Sequence, residues 1–372
     1  MPLRTRFRLC RRRAARLARR CVEPRAPRHT REGLGAQVVD PNAIWYGRHP
    51  LGLVLAPLSW LYCLVIQLRR LGYRKGWLAS RRLPVPVVVV GNLTVGGTGK
   101  TPAVLALAGL LRARGRRPAI ITRGYGSRRG GRGSAAPRRV PPDGEPADFG
   151  DEPVLLARRS GCPVVAGPDR VAAGALALAR GDVDILLADD GLQHYRLARD
   201  IEIALVDGAR GLGNGRCLPA GPLREPRGRL DTVDLVLTNG DGSGIDKDGG
   251  YRMRLVPGEA VNLRNPSISA PIADFLGRPV FAVAAIGNPE RFFAMLRGLG
   301  LEVEGRAYPD HYPFAPSDLA AWPPCAVLMT EKDAVKCKSF AGEDHWFLPV
   351  EAELDKAFVE AFFRKLEAQT HV

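Results

Sequence analysis

A run of four valines, Val87–Val90, leads into Gly91-Asn92-Leu93-Thr94-Val95-Gly96-Gly97-Thr98-Gly99-Lys100-Thr101-Pro102, and no other stretch restricts the architecture of this chain as much. The β-branched run favours a strand, the glycines a tight turn, and Ala103–Leu111 a helix. A strand, a glycine-rich turn and a Lys-Thr pair entering a helix make a phosphate-binding loop. In such a loop the backbone N–H groups converge on an anion, and the helix start adds partial positive charge. Thr94, Val95, Gly96, Gly97, Thr98 and Gly99 then form the cradle. Lys100 reaches the β- and γ-phosphates, and the Thr101 hydroxyl suits Mg²⁺. The generic pattern asks for glycine where this chain has Thr94, and a purely structural glycine turn is the competing reading.

A second anchor is Asp184-Ile-Leu-Leu-Ala188-Asp189-Asp190-Gly191-Leu192-Gln193-His194. An apolar strand ending in acids matches a Walker-B element, whose carboxylates, Asp189 and Asp190, serve the metal. Two adjacent acids at a strand end are costly without a cation nearby. No N-K-x-D guanine-reading motif is present: Leu237-Thr-Asn-Gly-Asp241 and Thr330-Glu-Lys-Asp333 both fail its spacing, so ATP is favoured over GTP.

Between these anchors, Pro118–Thr122 reads as a strand ending in Arg123-Gly124-Tyr125-Gly126. An Arg-rich loop follows, and residues 127–142 hold five Arg and no acid. Phe149-Gly150-Asp151-Glu152-Pro153 opens a helical stretch, and Asp151 reads equally well as an N-cap or as a functional carboxylate. Past residue 270 the pattern of strand, turn and helix restarts. His311, in the loop Tyr308–Phe314, is by spacing alone either a surface residue or a catalytic one.

The N-terminal third points to a membrane. Residues 51–66 carry no charge; Trp45, Trp60, Trp77, Tyr46, Tyr62 and Tyr73 fall between 45 and 77, and Arg69, Arg70, Arg74 and Lys75 follow the segment. A spanning helix needs about 20 apolar residues, so a segment lying in the interface is expected, with a packed core helix as the alternative. The formal net charge of +17 is concentrated in residues 1–36, which hold twelve Arg and two acids. This stretch reads as a disordered extension rather than a nucleic-acid arm, and no secretory signal pattern follows it. The seven cysteines are scattered and contain no C-x-x-C pair, which suits a reducing compartment.

The expected fold is therefore α/β: a P-loop NTPase-type parallel sheet flanked by helices, an N-terminal membrane-interfacial helix, and a smaller C-terminal α/β lobe. The expected division is 1–36 extension, 37–82 interfacial segment, 83–270 P-loop domain and 271–372 C-terminal lobe.

Taken together, Gly91–Pro102, Arg123–Gly126, Gly150–Pro153, Asp189–His194, Asp310-His311 and Thr330–Lys336 resemble the tetraacyldisaccharide 4'-kinase family in their order and wording. The resemblance implies transfer of the ATP γ-phosphate to the 4'-hydroxyl of an acylated glucosamine disaccharide 1-phosphate, giving lipid IVA. It further implies that Asp151 takes the hydroxyl proton with help from His311. Lys100 and Arg123 would act on phosphate, and Thr101, Asp189 and Asp190 on Mg²⁺. The implied location is peripheral, on the cytoplasmic face of the bacterial inner membrane, with the lipid as partner and no nucleic acid. Thr94 departs from the generic motif but not from this family's loop.

Overall fold

The computed structural model describes residues 40–124, 136–242 and 250–370. The Arg-rich extension expected at 1–36, Tyr125-Gly126 and most of the loop after them lie outside the described residues.

The first sheet is built from β1 (Val87–Asn92), β2 (Pro118–Thr122), β3 (Arg138–Val140), β4 (Val164–Ala166), β5 (Ile185–Asp189), β6 (Ile201–Asp207), β7 (Leu235–Asn239) and β8 (Tyr251–Pro257). The second contains β9 (Ala260–Asn262), β10 (Ser269–Ala270), β11 (Pro279–Ala284), β12 (Glu302–Ala307), β13 (Ala326–Thr330) and β14 (His345–Leu348). The chain then returns to the first sheet through β15 (Val350–Leu354), which pairs antiparallel with β8. Among the described residues the first sheet has nine strands in the order β15-β8-β7-β6-β1-β5-β2-β4-β3, and the second six in the order β10-β9-β14-β13-β11-β12. In the first, the strands from β8 to β4 run parallel and both edges are antiparallel. The longer helices are α1 (Ala56–Arg74), α2 (Lys100–Ala113), α3 (Asp151–Ser160), α4 (Arg170–Leu178), α5 (Pro289–Gly298), α6 (Glu331–Cys337) and α7 (Lys356–Thr370).

The valine run explains the layering. A parallel strand covered on both faces needs an unbroken apolar sequence. Val88 and Val90 pack into one layer with Leu107, Leu111, Phe358 and Phe362, and Val87 and Val89 into the other with Ala173, Leu192 and Leu223. Phe358 and Phe362 belong to α7, so the C-terminal helix covers the first sheet. The chain lays β2, β4 and β5 on one side of β1 and β6 to β8 on the other, which opens a crevice at the carboxyl end of β1.

The smaller lobe is therefore not the whole segment from 271 onward. Its sheet begins at Ala260 and the chain leaves it after Leu348, because β15 finds its hydrogen-bonding partner in β8. Strand pairing of this range leaves no local mark in the sequence. Within the lobe, β11 is covered on one face by Phe292, Phe293 and Leu296 of α5, and on the other by Leu319, Trp322 and Cys337.

The apolar segment expected at 51–66 becomes a turn at Leu51–Val54 followed by α1, which runs on to Arg74. Pro57 falls in the first turn, where its missing N–H breaks no bond. The helix stops before Gly76, whose φ of 76° is left-handed. One face is anchored: the Ser59 hydroxyl donates to the Cys217 carbonyl at 2.7 Å, and the Tyr62 hydroxyl to the Arg224 carbonyl at 3.0 Å. The other face is apolar and uncovered, with Val54, Leu58, Trp60, Leu61, Leu64, Val65 and Leu68 each more than half exposed. A stripe of this kind marks an interaction surface. Among the described residues, no helix is long and apolar enough to cross a membrane.

Candidate active site

The glycine-rich turn leaves β1 and enters α2 as the motif requires. Gly99 has φ 93°, and a Cβ there would lie 2.4 Å from the Asn239 amide nitrogen, so this position admits only glycine. A Cβ at Gly96 or Gly97 would meet nothing within 4 Å, and these two residues line open space. Thr94 needs no glycine. Its backbone forms an antiparallel bridge with Leu223, Val95 N–H donates to the Pro222 carbonyl at 2.8 Å, and neither residue has positive φ. The segment 222–224 thus doubles the entry to the loop. Lys100 is aimed by Asn92, the last residue of β1, whose Oδ1 accepts from Nζ at 2.9 Å while its own amide donates to the Gly96 carbonyl at 3.1 Å.

The two acids stand in different environments. Asp189 ends β5, one residue pair along from Ala188 in register with Val89, and so lies beside Val90 of β1. It is buried; Thr122 Oγ1 donates to its Oδ2 at 3.1 Å, and its Oδ1 has no hydrogen-bond partner among the described residues. Burial, with Glu152 and Asp190 nearby, pushes this carboxyl up to about 7. Asp190 is turned the other way by a φ of 50° and receives both Arg224 Nη1 contacts, at 3.1 and 3.2 Å, and Lys100 at 3.4 Å. Although burial opposes it, Lys100 and Arg224 hold Asp190 well below the usual carboxylate range. The Asp189 oxygen suits a divalent cation, and Thr101 follows Lys100 in the first turn of α2. Asp190 is already engaged by two cationic side chains.

Asp151 opens α3 but is not its N-cap. That position belongs to Gly150, whose φ 93° and ψ 153° fall in a region essentially confined to glycine. The Asp151 carboxylate is therefore available to the opposite lobe. His311 Nδ1 lies 3.0 Å from each of its oxygens, and Glu152 N–H donates to Oδ1 at 3.0 Å. His311 itself has φ 61°, a conformation rare outside glycine and asparagine, and its N–H donates to the Ala285 carbonyl at 3.3 Å. Burial raises the Asp151 pKa, but the His311 contact and the Lys332 charge outweigh it and hold the group below the usual carboxylate range. His311 moves the opposite way: burial lowers it, and the bond to Asp151 carries it above the usual histidine value. Lys332 Nζ closes the cluster, 3.0 Å from Glu152, 3.4 Å from Asp310 and 3.3 Å from His311 Nε2.

The two groups of residues face each other across the crevice. A Cβ on Gly287 of the smaller lobe would lie 2.9 Å from Gly97 N, so the 285–287 turn that holds His311 also rests on the phosphate loop. Gly124 packs near the Phe149 carbonyl, bringing the end of β2 to the turn before Asp151. Arg123, exposed, follows Thr122, which bonds Asp189. Sequence reasoning attached no role to Asn92, Glu152, Arg170, Arg224 or Lys332. Arg170 is 1% exposed and donates to the Asp189 and Gly167 carbonyls at 3.3 and 2.6 Å, so it fixes the end of β5. For Asn92, Glu152 and Lys332 the one signal available was their position inside the quoted motifs, and Arg170 and Arg224 lie outside them.

The family model described as LpxK: Tetraacyldisaccharide-1-P 4'-kinase matches residues 51–367. The chain is 50% identical over 314 residues to the tetraacyldisaccharide 4'-kinase of Nitrosococcus oceani, covering 84% of this chain and 90% of that protein. It is 51% identical over 334 residues to the tetraacyldisaccharide 4'-kinase of Alkalilimnicola ehrlichii, covering 88% and 98%. The crystal structure of "apo" form LpxK from Aquifex aeolicus in complex with ATP is similar with a TM-score of 0.69 at 30% identity, covering 85% of this chain and 99% of that one.

Proposed function

Because the chain belongs to the tetraacyldisaccharide 4'-kinase family and has that ATP-dependent activity in lipid A biosynthesis, we propose the following division of labour among its residues. Gly96, Gly97, Thr98 and Gly99 wrap the nucleotide phosphates with their N–H groups, with Thr94 and Val95 as the lead-in strand. Lys100, steered by Asn92 and Asp190, neutralises charge on the β- and γ-phosphates. Asp189 and Thr101 would hold Mg²⁺, while Asp190 is engaged by Lys100 and Arg224. The ion would supply neutralisation of phosphate charge. Arg123, which follows Thr122 at the end of β2, would add its charge on the transferred phosphoryl group.

Asp151 accepts the proton of the 4'-hydroxyl as that oxygen attacks phosphorus. Its carboxylate is ionised at neutral pH, and His311 orients it through the contact at both oxygens. This pairing across the lobes is the single observation that carries the reading. The acceptor has four acyl chains and stays in a bilayer, so the exposed face of α1 lies in the cytoplasmic leaflet of the inner membrane. The test is a kinase assay with Mg-ATP and the tetraacyldisaccharide 1-phosphate in mixed micelles. Wild-type protein forms product, while Asp151→Ala and Lys100→Ala, folded by circular dichroism, lose turnover by orders of magnitude. Near-wild-type rates in either variant would remove that residue from its role.

A further inference from the structure

The Thr330-Glu-Lys-Asp333 motif has no part in the chemistry so far, yet it builds the stiffest corner of the site. Thr330 caps α6 by accepting from Asp333 N–H at 3.2 Å. Asp333 is fully buried, takes the Thr330 hydroxyl at 2.6 Å and Ala285 N–H at 3.0 Å, and pairs with Lys336 at 2.7 Å. The next turn over, Glu331 accepts two bonds from Arg159 of α3, at 2.7 and 2.9 Å. The start of α6 is thus tied both to Ala285, which holds the His311 backbone, and to the helix that begins at Asp151.

Lys332 extends from this corner between Glu152, Asp310 and His311. Against the effect of burial, Glu152, Asp151 and Asp310 keep its ammonium above the usual lysine range, so it is a permanent cation. An ammonium has three donors and no acceptor. Its 3.3 Å contact with His311 Nε2 is a hydrogen bond only if that nitrogen carries no proton. The imidazole proton then sits on Nδ1 and points at Asp151, 3.0 Å away. A doubly protonated ring would set an N–H against the ammonium. Among the described residues, Asp151 and Asp310 face His311 and favour the imidazolium, and Lys332 opposes it; Glu152 acts by holding Lys332.

We propose that Lys332 is a positioning residue of the kinase, which fixes the His311 proton on Nδ1 and opposes a second proton on the ring beside the carboxylate that accepts the hydroxyl proton. Lys332 touches no reacting atom. Its effect is to keep Asp151 a competent base, since an imidazolium at the same distance would hold the carboxylate charge and weaken its pull on the incoming proton. The inference rests on the proposed role of Asp151, but its first readout does not. In wild-type protein at alkaline pH, where the ring has lost its second proton, ¹⁵N NMR of the histidine side chains is expected to give His311 as the Nδ1–H tautomer, and a protonated Nε2 there would overturn the proposal whatever Asp151 does.

The second readout is kinetic. In Lys332→Met the acid limb of kcat/KM for the lipid acceptor moves up by about one pH unit or more. Activity therefore falls about tenfold further at pH 6 than at pH 8, while the KM for ATP stays unchanged. Lys332→Arg, which can still donate to Nε2, keeps the wild-type limb. A loss in Lys332→Met that is equal at all pH values, or a limb that does not move, would make Lys332 a merely structural residue. Should that variant fail to fold, Lys332→Gln and the wild-type tautomer decide between the same outcomes.

Discussion

Two glycines of the phosphate loop, two residues apart, should respond to the same substitution in opposite ways. At Gly99 an added methyl suffers twice. A left-handed φ of 93° costs an alanine about 1–2 kcal/mol. The Cβ would also lie 2.4 Å from Asn239 Nδ2 and 2.7 Å from Met253 Cε, and Asn239 is 1% exposed. To escape, the amide must give up its 3.0 Å bond to the Thr98 carbonyl, and a buried donor left without a partner costs about 1–3 kcal/mol. Gly99→Ala should therefore destabilise the nucleotide-free protein by roughly 2–5 kcal/mol, a fall in Tm of about 3–6 °C for a chain of this size. Gly97→Ala meets no atom within 4 Å and no positive φ, so its Tm should move by less than about 0.5 kcal/mol would move it. Its methyl instead enters the space read here as the phosphate site, and ATP affinity by titration calorimetry should drop about tenfold or more, the loss of roughly 1.4 kcal/mol. Thermal melts without nucleotide and calorimetry with it separate the two effects. A Gly97→Ala protein that binds ATP normally would refute the cradle, and an unchanged Tm in Gly99→Ala would refute the packing argument.

Other outcomes follow from the same geometry. Asp151→Asn removes the proton acceptor and should lower kcat by about 10²–10⁴-fold with little change in the KM for ATP, measured by steady-state assay. Because the folded pKa of Asp151 lies below its unfolded value, its stabilisation is complete above about pH 4 and disappears as the pH falls through the folded value. Urea melts of wild type and Asp151→Asn should accordingly differ near neutrality and converge in strong acid; a difference that grows with acidity would reverse the assigned sign. On α1, the double substitution Leu61→Glu and Val65→Glu alters two exposed positions, so it should reduce sedimentation with anionic phospholipid vesicles by about tenfold or more while leaving ATP affinity intact.

What could be read in the sequence was what is local. The phosphate loop is one uninterrupted stretch in which each residue's conformational preference agrees with its neighbours', so strand, turn, helix and the Lys100-Thr101 pair could all be named. Asp151 could not be separated from a helix cap, because the deciding contact, with His311, joins residues 160 positions apart. Asn92 and Arg224 went without a role for a related reason. Asn92 lies inside the motif but acts through its side chain on Lys100, and Arg224 sits in a Gly- and Pro-rich loop whose backbone comes to the phosphate loop only in the folded chain. The lobe boundary was hidden likewise, since β15 looks like any short strand until β8 accepts it.

The loop segment 222–224 has a practical consequence for anyone wishing to work with this enzyme free of detergent. Its backbone is gripped on one side by Tyr62 of α1, through the Arg224 carbonyl, and on the other by Leu93 and Val95 of the phosphate loop. The Arg224 side chain continues the same line to Asp190 and so to Lys100. The greasy helix is thus a structural wall of the nucleotide pocket rather than a tether that can be cut away. Truncation ahead of β1 would leave the loop unsupported and the lysine poorly aimed, and solubilisation is better sought by recolouring the outward face of α1 with polar side chains while leaving Ser59 and Tyr62 in place.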